Sequence, residues 1–211
     1  MLDGKPIVGI VTGLKNKSNN PKTGDMAQFW ILREDMPPTE AKRTGADSSI
    51  CGDCPLKKTC YVTIHQAPLA VWKAYKRGSY TNVTGLYLNK AIRLGAYGDP
   101  AAVPQMVIDS LTNNAPKWTG YTHQWDHPNI SLTWNKYVMA SVESKETKDK
   151  ANRFGWRTFR VREAGAPLFE DEINCPSDKG ITCAQCGLCS GTKVQAKNIS
   201  IEVHGSKKGN F

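Results

Sequence analysis

No apolar run in this 211-residue chain approaches the roughly 20 residues of a membrane-spanning helix, so a helical membrane protein is not expected. The opening Met1-Leu2-Asp3-Gly4-Lys5 lacks an apolar core with a cleavage site, so no secretory leader is expected and the location is read as cytoplasmic. Internal repeats and low-complexity tracts are missing, which argues against a solenoid or a long disordered arm. Basic charge is not gathered into a block: the net charge of +9 is spread from Lys5 to Lys208. A diffuse basic surface can attract nucleic acid or another anionic partner; it is also what a soluble surface with surplus lysine looks like. At 39% hydrophobic residues the chain can bury one core, so 1–211 is read as a single domain.

What the chain has in abundance is cysteine. Seven of them fall into two sets, Cys51, Cys54 and Cys60 within 51–60, and Cys175, Cys183, Cys186 and Cys189 within 175–189. In a reducing compartment such numbers point to metal or redox roles rather than disulfides. The second set reads Cys175-Pro176, then Cys183-Ala-Gln-Cys186-Gly-Leu-Cys189. Three thiolates two residues apart and a fourth from a separate Cys-Pro are similar to the ligand pattern of bacterial ferredoxins around a [4Fe-4S] cluster. A compact loop can wrap three corners of a cube, and the fourth must be approached from elsewhere. Zinc is the rival, but four-thiolate zinc sites usually take two separated Cys-x-x-Cys pairs, and this set does not divide that way. All seven cysteines are therefore candidate metal ligands, for one or two [4Fe-4S] clusters or, alternatively, zinc.

Strand and helix signals alternate along the chain. Strands are predicted at Ile7 to Val11, Gln28 to Leu32, Ala91 to Leu94, Trp118 to Tyr121, Tyr137 to Val142, Trp156 to Val161 and Asn198 to Val203, from short apolar runs bounded by turn residues. Helices are predicted at Pro68 to Gly78, Pro100 to Leu111 and Lys145 to Phe154, with proline at starts and glycine at stops. The alternation implies βαβ units, hence an α/β fold: a partial (β/α) barrel or mostly parallel sheet carrying cysteine-rich metal-binding loops. In such a sheet, ligands collect at the carboxyl ends of the strands. Cys51–Cys60, Gly98-Asp99, His123 and Cys175 each follow a predicted strand, and one shared cavity is expected.

With the elements in this order, the chain resembles the radical S-adenosylmethionine superfamily. There a partial barrel carries three cysteines after its first strand, on a cube whose fourth iron is left to the cofactor. Cys51, Cys54 and Cys60 hold the corresponding place, although their spacing, two and then five intervening residues, differs from the family's usual three and two. Tyr97-Gly98-Asp99-Pro100 is similar to the Gly-Gly-Glu-like motif after the family's second strand. The resemblance implies that backbone around Ala96 to Asp99 meets the methionine amino group of S-adenosylmethionine, and that the Cys175 set holds an auxiliary cluster. It makes Tyr97, Gly98 and Asp99 candidate cofactor-binding residues of a redox or radical enzyme. Separately, Cys51-Gly52-Asp53-Cys54-Pro55 and Gly155-Trp156-Arg157-Thr158-Phe159-Arg160-Val161-Arg162 resemble a family of small bacteriophage proteins, which implies a phage origin and a host-cytoplasm location.

Several residues carry two readings. Asp99, before Pro100, is a natural N-cap as well as a ligand contact. Glu143, at the carboxyl end of a predicted strand, is a candidate cofactor contact or an ordinary helix entry. His123 and His127, flanking Trp125, could ligate metal, close an open iron or stack on bases. Arg160 and Arg162 share one strand face by period two and could meet phosphate or carboxylate, or lie on a solvated edge strand. Trp30, Trp118 and Trp156 sit within strand candidates and are read as core. The alternative function is a zinc-stabilised nucleic-acid-binding module without catalysis.

Overall fold

The computed structural model describes residues 2–18, 20–80, 88–204 and 209. The chain opens with β1 (Ile7–Thr12) and β2 (Ala27–Arg33), then α1 (Pro38–Thr44), α2 (Ser48–Cys51) and α3 (Ala67–Lys76). After these come β3 (Ile92–Tyr97), α4 (Gln105–Asn113), β4 (Trp118–Thr122), β5 (Met139–Val142), α5 (Lys145–Arg153) and β6 (Thr158–Arg162). β7 (Glu172–Asn174), α6 (Cys183–Cys186) and β8 (Asn198–Glu202) complete it. One eight-stranded sheet has the order β1-β2-β3-β4-β5-β6-β8-β7. The chain is thus α/β with a mostly parallel sheet, and among the described residues no helix is long and apolar enough to cross a membrane.

From β2 to β6 every neighbour is the next strand in the chain and is parallel. β8 and β7 extend that parallel array. β1 is the exception and runs antiparallel to β2, with Ile7 opposite Arg33 and Thr12 opposite Gln28. A parallel neighbour needs a crossover, usually a helix; the connection here is a polar, turn-rich loop without a helix, so the chain can only double back. β7 was not anticipated, because Glu172-Ile173-Asn174 is too short and polar to stand out. It forms because β8 offers a free edge, pairing Glu172 with Asn198 and Asn174 with Ser200.

Period-two alternation assigns the two faces of the sheet. Ile92, Leu94, Ala96, Ala140 and Val142 join the large core that also holds Val71, Ile108 and Ala151 of α3, α4 and α5. On the other face Tyr121, Met139, Phe159 and Ile199 form a smaller core with Cys189 and Leu188, and Tyr121 stacks on Phe159 at 4.0 Å between centroids. Helices therefore cover one face, while the segment around Cys175–Cys189 packs on the other.

Three predicted elements are corrected. The helix expected over Pro100 to Leu111 is a 3-10 turn at Pro100–Ala102 followed by α4, because Val103 precedes Pro104 and is held extended at φ −98°, ψ 160°. Tyr137 and Val138 belong to the end of a 3-10 turn, with their amides donating to the Trp134 carbonyl. Trp156 and Arg157 precede β6; Trp156 is buried in the large core as expected.

Candidate functional site

The carboxyl ends of β2 to β5 converge on the first cysteine set. α2 delivers Cys51, and Gly52 at φ 55° turns the chain away at a point where a Cβ would lie 2.4 Å from the Gln124 side chain. Gln124, just past β4, donates its Nε2–H to the Cys51 carbonyl at 3.2 Å. Past β3, the Asp99 amide donates to the Ile50 carbonyl at 2.6 Å. The close approach of β3 to β2 requires Gly98: at φ 84°, a Cβ there would lie 2.6 Å from the Ile31 carbonyl oxygen.

Asp99 is the N-cap its sequence context suggests, with Oδ1 accepting from the Ala101 amide at 2.9 Å. Its other oxygen accepts from the His123 amide at 2.9 Å. Both oxygens of the carboxylate are thus engaged within the fold, and so are the backbone groups of Asp99, whose amide donates to Ile50 and whose carbonyl accepts from the Ala102 amide at 3.0 Å. His123 Nε2 lies 4.0 Å from Cys54 Sγ and 3.0 Å from Glu143 Oε1. The structure therefore brings together Cys51, Cys54, Cys60, Tyr97, Asp99, His123 and Glu143, from four strand ends. His127 is not among them: its Nδ1 accepts from the Asn129 amide within its own loop at 3.2 Å.

The electrostatics follow from burial and from the crowd of acidic groups. Burial pushes the Cys51 thiol well up, and Asp47, Asp99, Cys54 and Cys60 push the same way. Burial also raises Asp99, against the hydrogen bonds from Thr122 and Ala101. His123 would be lowered by burial, but Cys54 and Glu143 more than offset it and raise the imidazole to about 10. The Tyr97 hydroxyl is buried without a hydrogen-bond partner, and burial together with Cys51, Asp47 and Cys60 strongly suppresses its ionisation.

The second set forms a separate cavity. All four thiols, Cys175, Cys183, Cys186 and Cys189, line it together with Thr119, Tyr121 and Ile199 from the sheet. α6 is a single turn capped reciprocally by Thr182 and Gln185 and closed by Gly187 at φ 67°. The Cys183 and Ala184 amides donate to the carbonyls of Lys22 and Thr23, and the Gly120 amide donates to the Cys189 carbonyl. Lys22 precedes β2, and Lys117, which precedes β4, donates to the Gln185 carbonyl at 3.0 Å. The set therefore sits toward the amino-terminal ends of β2 and β4. The expectation of one shared cavity at the carboxyl ends is corrected: the fold builds two sites, because the segment after Cys175 folds back across the sheet face. Burial pushes the Cys189 thiol up to about 12, partly countered by a hydrogen bond with Tyr121. The Ser177 hydroxyl beside this set is also buried without a partner.

Arg93 of β3 lies between the sites. Its guanidinium donates to the hydroxyl of Tyr61, the residue after Cys60, and sits 5.8 Å from that ring centroid. It also feels the Cys183 thiol. Sequence reasoning did not single out Arg93, Tyr61, Tyr121 or Gln124, since each is an ordinary residue until the fold places it.

The arginine face expected on β6 is a structural device, not an exposed patch. β6 is interior, and Arg160 pairs through Nε and Nη2 with both carboxylate oxygens of Glu172 at 2.8 and 2.6 Å. Arg162 is buried beside Asn174 and Glu202.

All seven cysteines are free thiols. Among the described residues no three His, Cys, Asp or Glu side chains lie close enough together to hold one metal ion.

No family model matches the chain, and no solved structure matches it. Among curated proteins, the urease accessory protein UreF of Cupriavidus necator is 25% identical over 121 residues, covering 53% of this chain and 53% of that protein. The chain spans about half the length of that relative.

Proposed function

We propose that the chain is an iron–sulfur protein of phage origin that binds a [4Fe-4S] cluster through Cys175, Cys183, Cys186 and Cys189, and a second through Cys51, Cys54 and Cys60. The second cluster would serve radical S-adenosylmethionine-like chemistry in the host cytoplasm. The observation that carries the reading is the convergence of the three-cysteine loop with Tyr97-Gly98-Asp99, His123 and Glu143 at the carboxyl ends of successive parallel strands. Strand order following chain order from β1 to β6, with helices on one face, supports the partial-barrel form of this fold.

The grouping of the thiols is what supports the cluster reading. Four thiols around one cavity would supply one ligand per iron of a cube; zinc would instead need its sulfurs about 2.3 Å from a single point. The buried, partnerless hydroxyls of Tyr97 and Ser177 each lie with a cysteine set and are suited to donate to cluster or thiolate sulfur. When bound and reduced, a cube at the first set supplies the single electron for cofactor cleavage. Gly98 lets the end of β3 approach β2 closely, and by the family resemblance backbone around Ala96 to Asp99 would meet the cofactor's amino group. Glu143 supplies a carboxylate at the next strand end but one.

The alternative of a zinc-stabilised nucleic-acid-binding module would rely on the basic surface. Arg33, Arg157, Arg160 and Arg162 are buried in the fold, which takes four cations away from that surface. Anaerobic purification with iron, sulfide and zinc analysis separates the readings. Brown protein is expected, with Cys186→Ala losing about half of the iron; colourless protein with stoichiometric zinc would overturn the iron reading. Addition of S-adenosylmethionine to the reduced protein is expected to perturb its electron paramagnetic resonance signal, and an unperturbed signal without cofactor cleavage rejects the radical chemistry.

A further inference from the structure

Basic charge that is spread along the sequence is gathered by the fold at one end of the molecule. β2 to β6 and β8 run parallel, so their amino-terminal ends share one rim of the sheet. The segments leading into those ends are 13–26, 88–91, 113–117, 134–138, 152–157 and 182–197. Besides the buried Arg157 they carry nine lysines and arginines, from Lys15 to Lys197, and a single carboxylate, Asp25. The rim is therefore strongly cationic. At the opposite, carboxyl end, Asp99, Asp126 and Glu143 follow β3, β4 and β5.

Contacts between these segments make the rim continuous. The Lys90 ammonium donates to the Asn16 carbonyl at 3.4 Å and to Asp25 at 2.9 Å. The Cys183 amide donates to the Lys22 carbonyl, and the Lys117 ammonium to the Gln185 carbonyl at 3.0 Å. Asn135 donates to the Gly155 carbonyl at 3.0 Å, and Gly191 approaches Asn135 so closely that a Cβ there would lie 2.3 Å from its carbonyl oxygen. Among the described residues only Lys90 of the nine cations is ion-paired, with the same Asp25. Most of the others, Lys17, Lys136 and Lys193 among them, are exposed.

Like charges held together without counter-charges repel one another and work against the compact state, and a polyanion relieves that repulsion. Six strand ends at about 4.8 Å spacing give a row about 24 Å long, which suits a linear polyanion. An anionic membrane would call for a helix with a free apolar face, whereas α4 and α5 spend theirs, Ile108, Leu111 and Ala151, on the core. We propose that this amino-terminal rim is a nucleic-acid-binding surface that engages the phosphate backbone through its lysines and arginines. Binding would release counterions and carry no base specificity of its own. The surface lies at the end of the sheet opposite Asp99, His123 and Glu143, and the proposal holds whichever metal the cysteines take.

The test titrates the full chain with fluorescently labelled DNA oligonucleotides, single-stranded and duplex, and follows anisotropy from about 50 to 200 mM salt. Two variants of equal charge change are compared: Lys17→Glu with Lys193→Glu on the rim, and Arg43→Glu with Lys145→Glu, which begin or border helices at the other end of the sheet. The rim pair is expected to weaken binding at least about tenfold at low salt and to reduce the slope of log affinity against log salt by about 1 to 2. The distal pair is expected to change affinity by less than about threefold, since charges beyond a Debye length are screened. Equal losses in both pairs would mean that net charge alone attracts the DNA and would overturn the proposal. So would failure of the unaltered chain to bind either oligonucleotide at about 50 mM salt, or binding to phosphatidylserine vesicles in place of DNA.

Discussion

Arg157 donates from Nη1 to the Leu188 carbonyl at 2.7 Å, and this is one of four such bonds from a single buried guanidinium. The others reach Gly191, Ala196 and Lys197 at 2.7 to 2.8 Å. Five planar donors suit such a cradle, and a lysine ammonium does not. Burial lowers the Arg157 pKa from its ordinary value, yet the carbonyls are ordered around it, so it ties the segment after Cys189 to the start of β6.

Replacing Arg157 with alanine should therefore leave several carbonyls unpaired and cost about 3 kcal/mol or more. Arg157→Lys should recover only part of it. Urea unfolding checks the magnitude, and hydrogen exchange at Leu188 to Lys197 checks the location; unchanged protection there would refute the tie.

The Arg160 and Glu172 pair gives a pH dependence with a definite sign. Burial by itself would raise the Glu172 carboxyl, but the Arg160 guanidinium and the Phe169 amide hold it below the usual carboxylate range. A carboxyl depressed in the folded state stabilises fully above its unfolded value, about 4.3, and that stability fades as pH falls through the lower folded value. Glu172→Gln should cost about 3–5 kcal/mol at neutral pH, because it strands a buried guanidinium, and should flatten the acid limb of stability. Urea midpoints measured from pH 7 down to pH 3 test both.

Gly98 is predicted to admit no side chain. Gly98→Ala combines φ 84° with a Cβ 2.6 Å from the Ile31 carbonyl oxygen, a sum of more than about 2 kcal/mol. Thermal unfolding should register the loss.

The Tyr97 hydroxyl offers a test with opposite signs in two states. Being buried without a partner, it penalises the metal-free fold, so Tyr97→Phe should leave apo stability unchanged or raise it by about 1 kcal/mol. If the proposed first cluster is present, the same change should lower its reduction potential, since hydrogen bonds to the sulfurs tune it. Redox titration of both proteins decides; an unchanged potential would show that the hydroxyl does not reach the cluster.

Local chemistry was legible wherever it was self-contained. The apolar runs at Ile7 to Val11 and Gln28 to Leu32 became β1 and β2. Asp99-Pro100 became a capped turn, and Lys145 to Arg153, flanked by Ser144 and Gly155, became α5 with its capping box. The two cysteine sets could be separated by spacing, and His123 could be named because it follows a strand. Residues whose role depends on a distant partner were not legible. Arg160 read equally well as an exposed cation until Glu172 of β7 was found opposite it, and Tyr97 gave no hint that its hydroxyl would be buried.

By itself, then, the sequence determined the α/β class, the parallel run of strands and the grouping of seven thiols, because propensity, patterning and spacing act over a few residues. Only the tertiary structure decided that β1 runs antiparallel, that the second cysteine set crosses the sheet face instead of joining the first, and that His123 rather than His127 faces Cys54. Those outcomes depend on which edges remain unpaired and which faces remain uncovered once the sheet has formed, and no local segment carries that information.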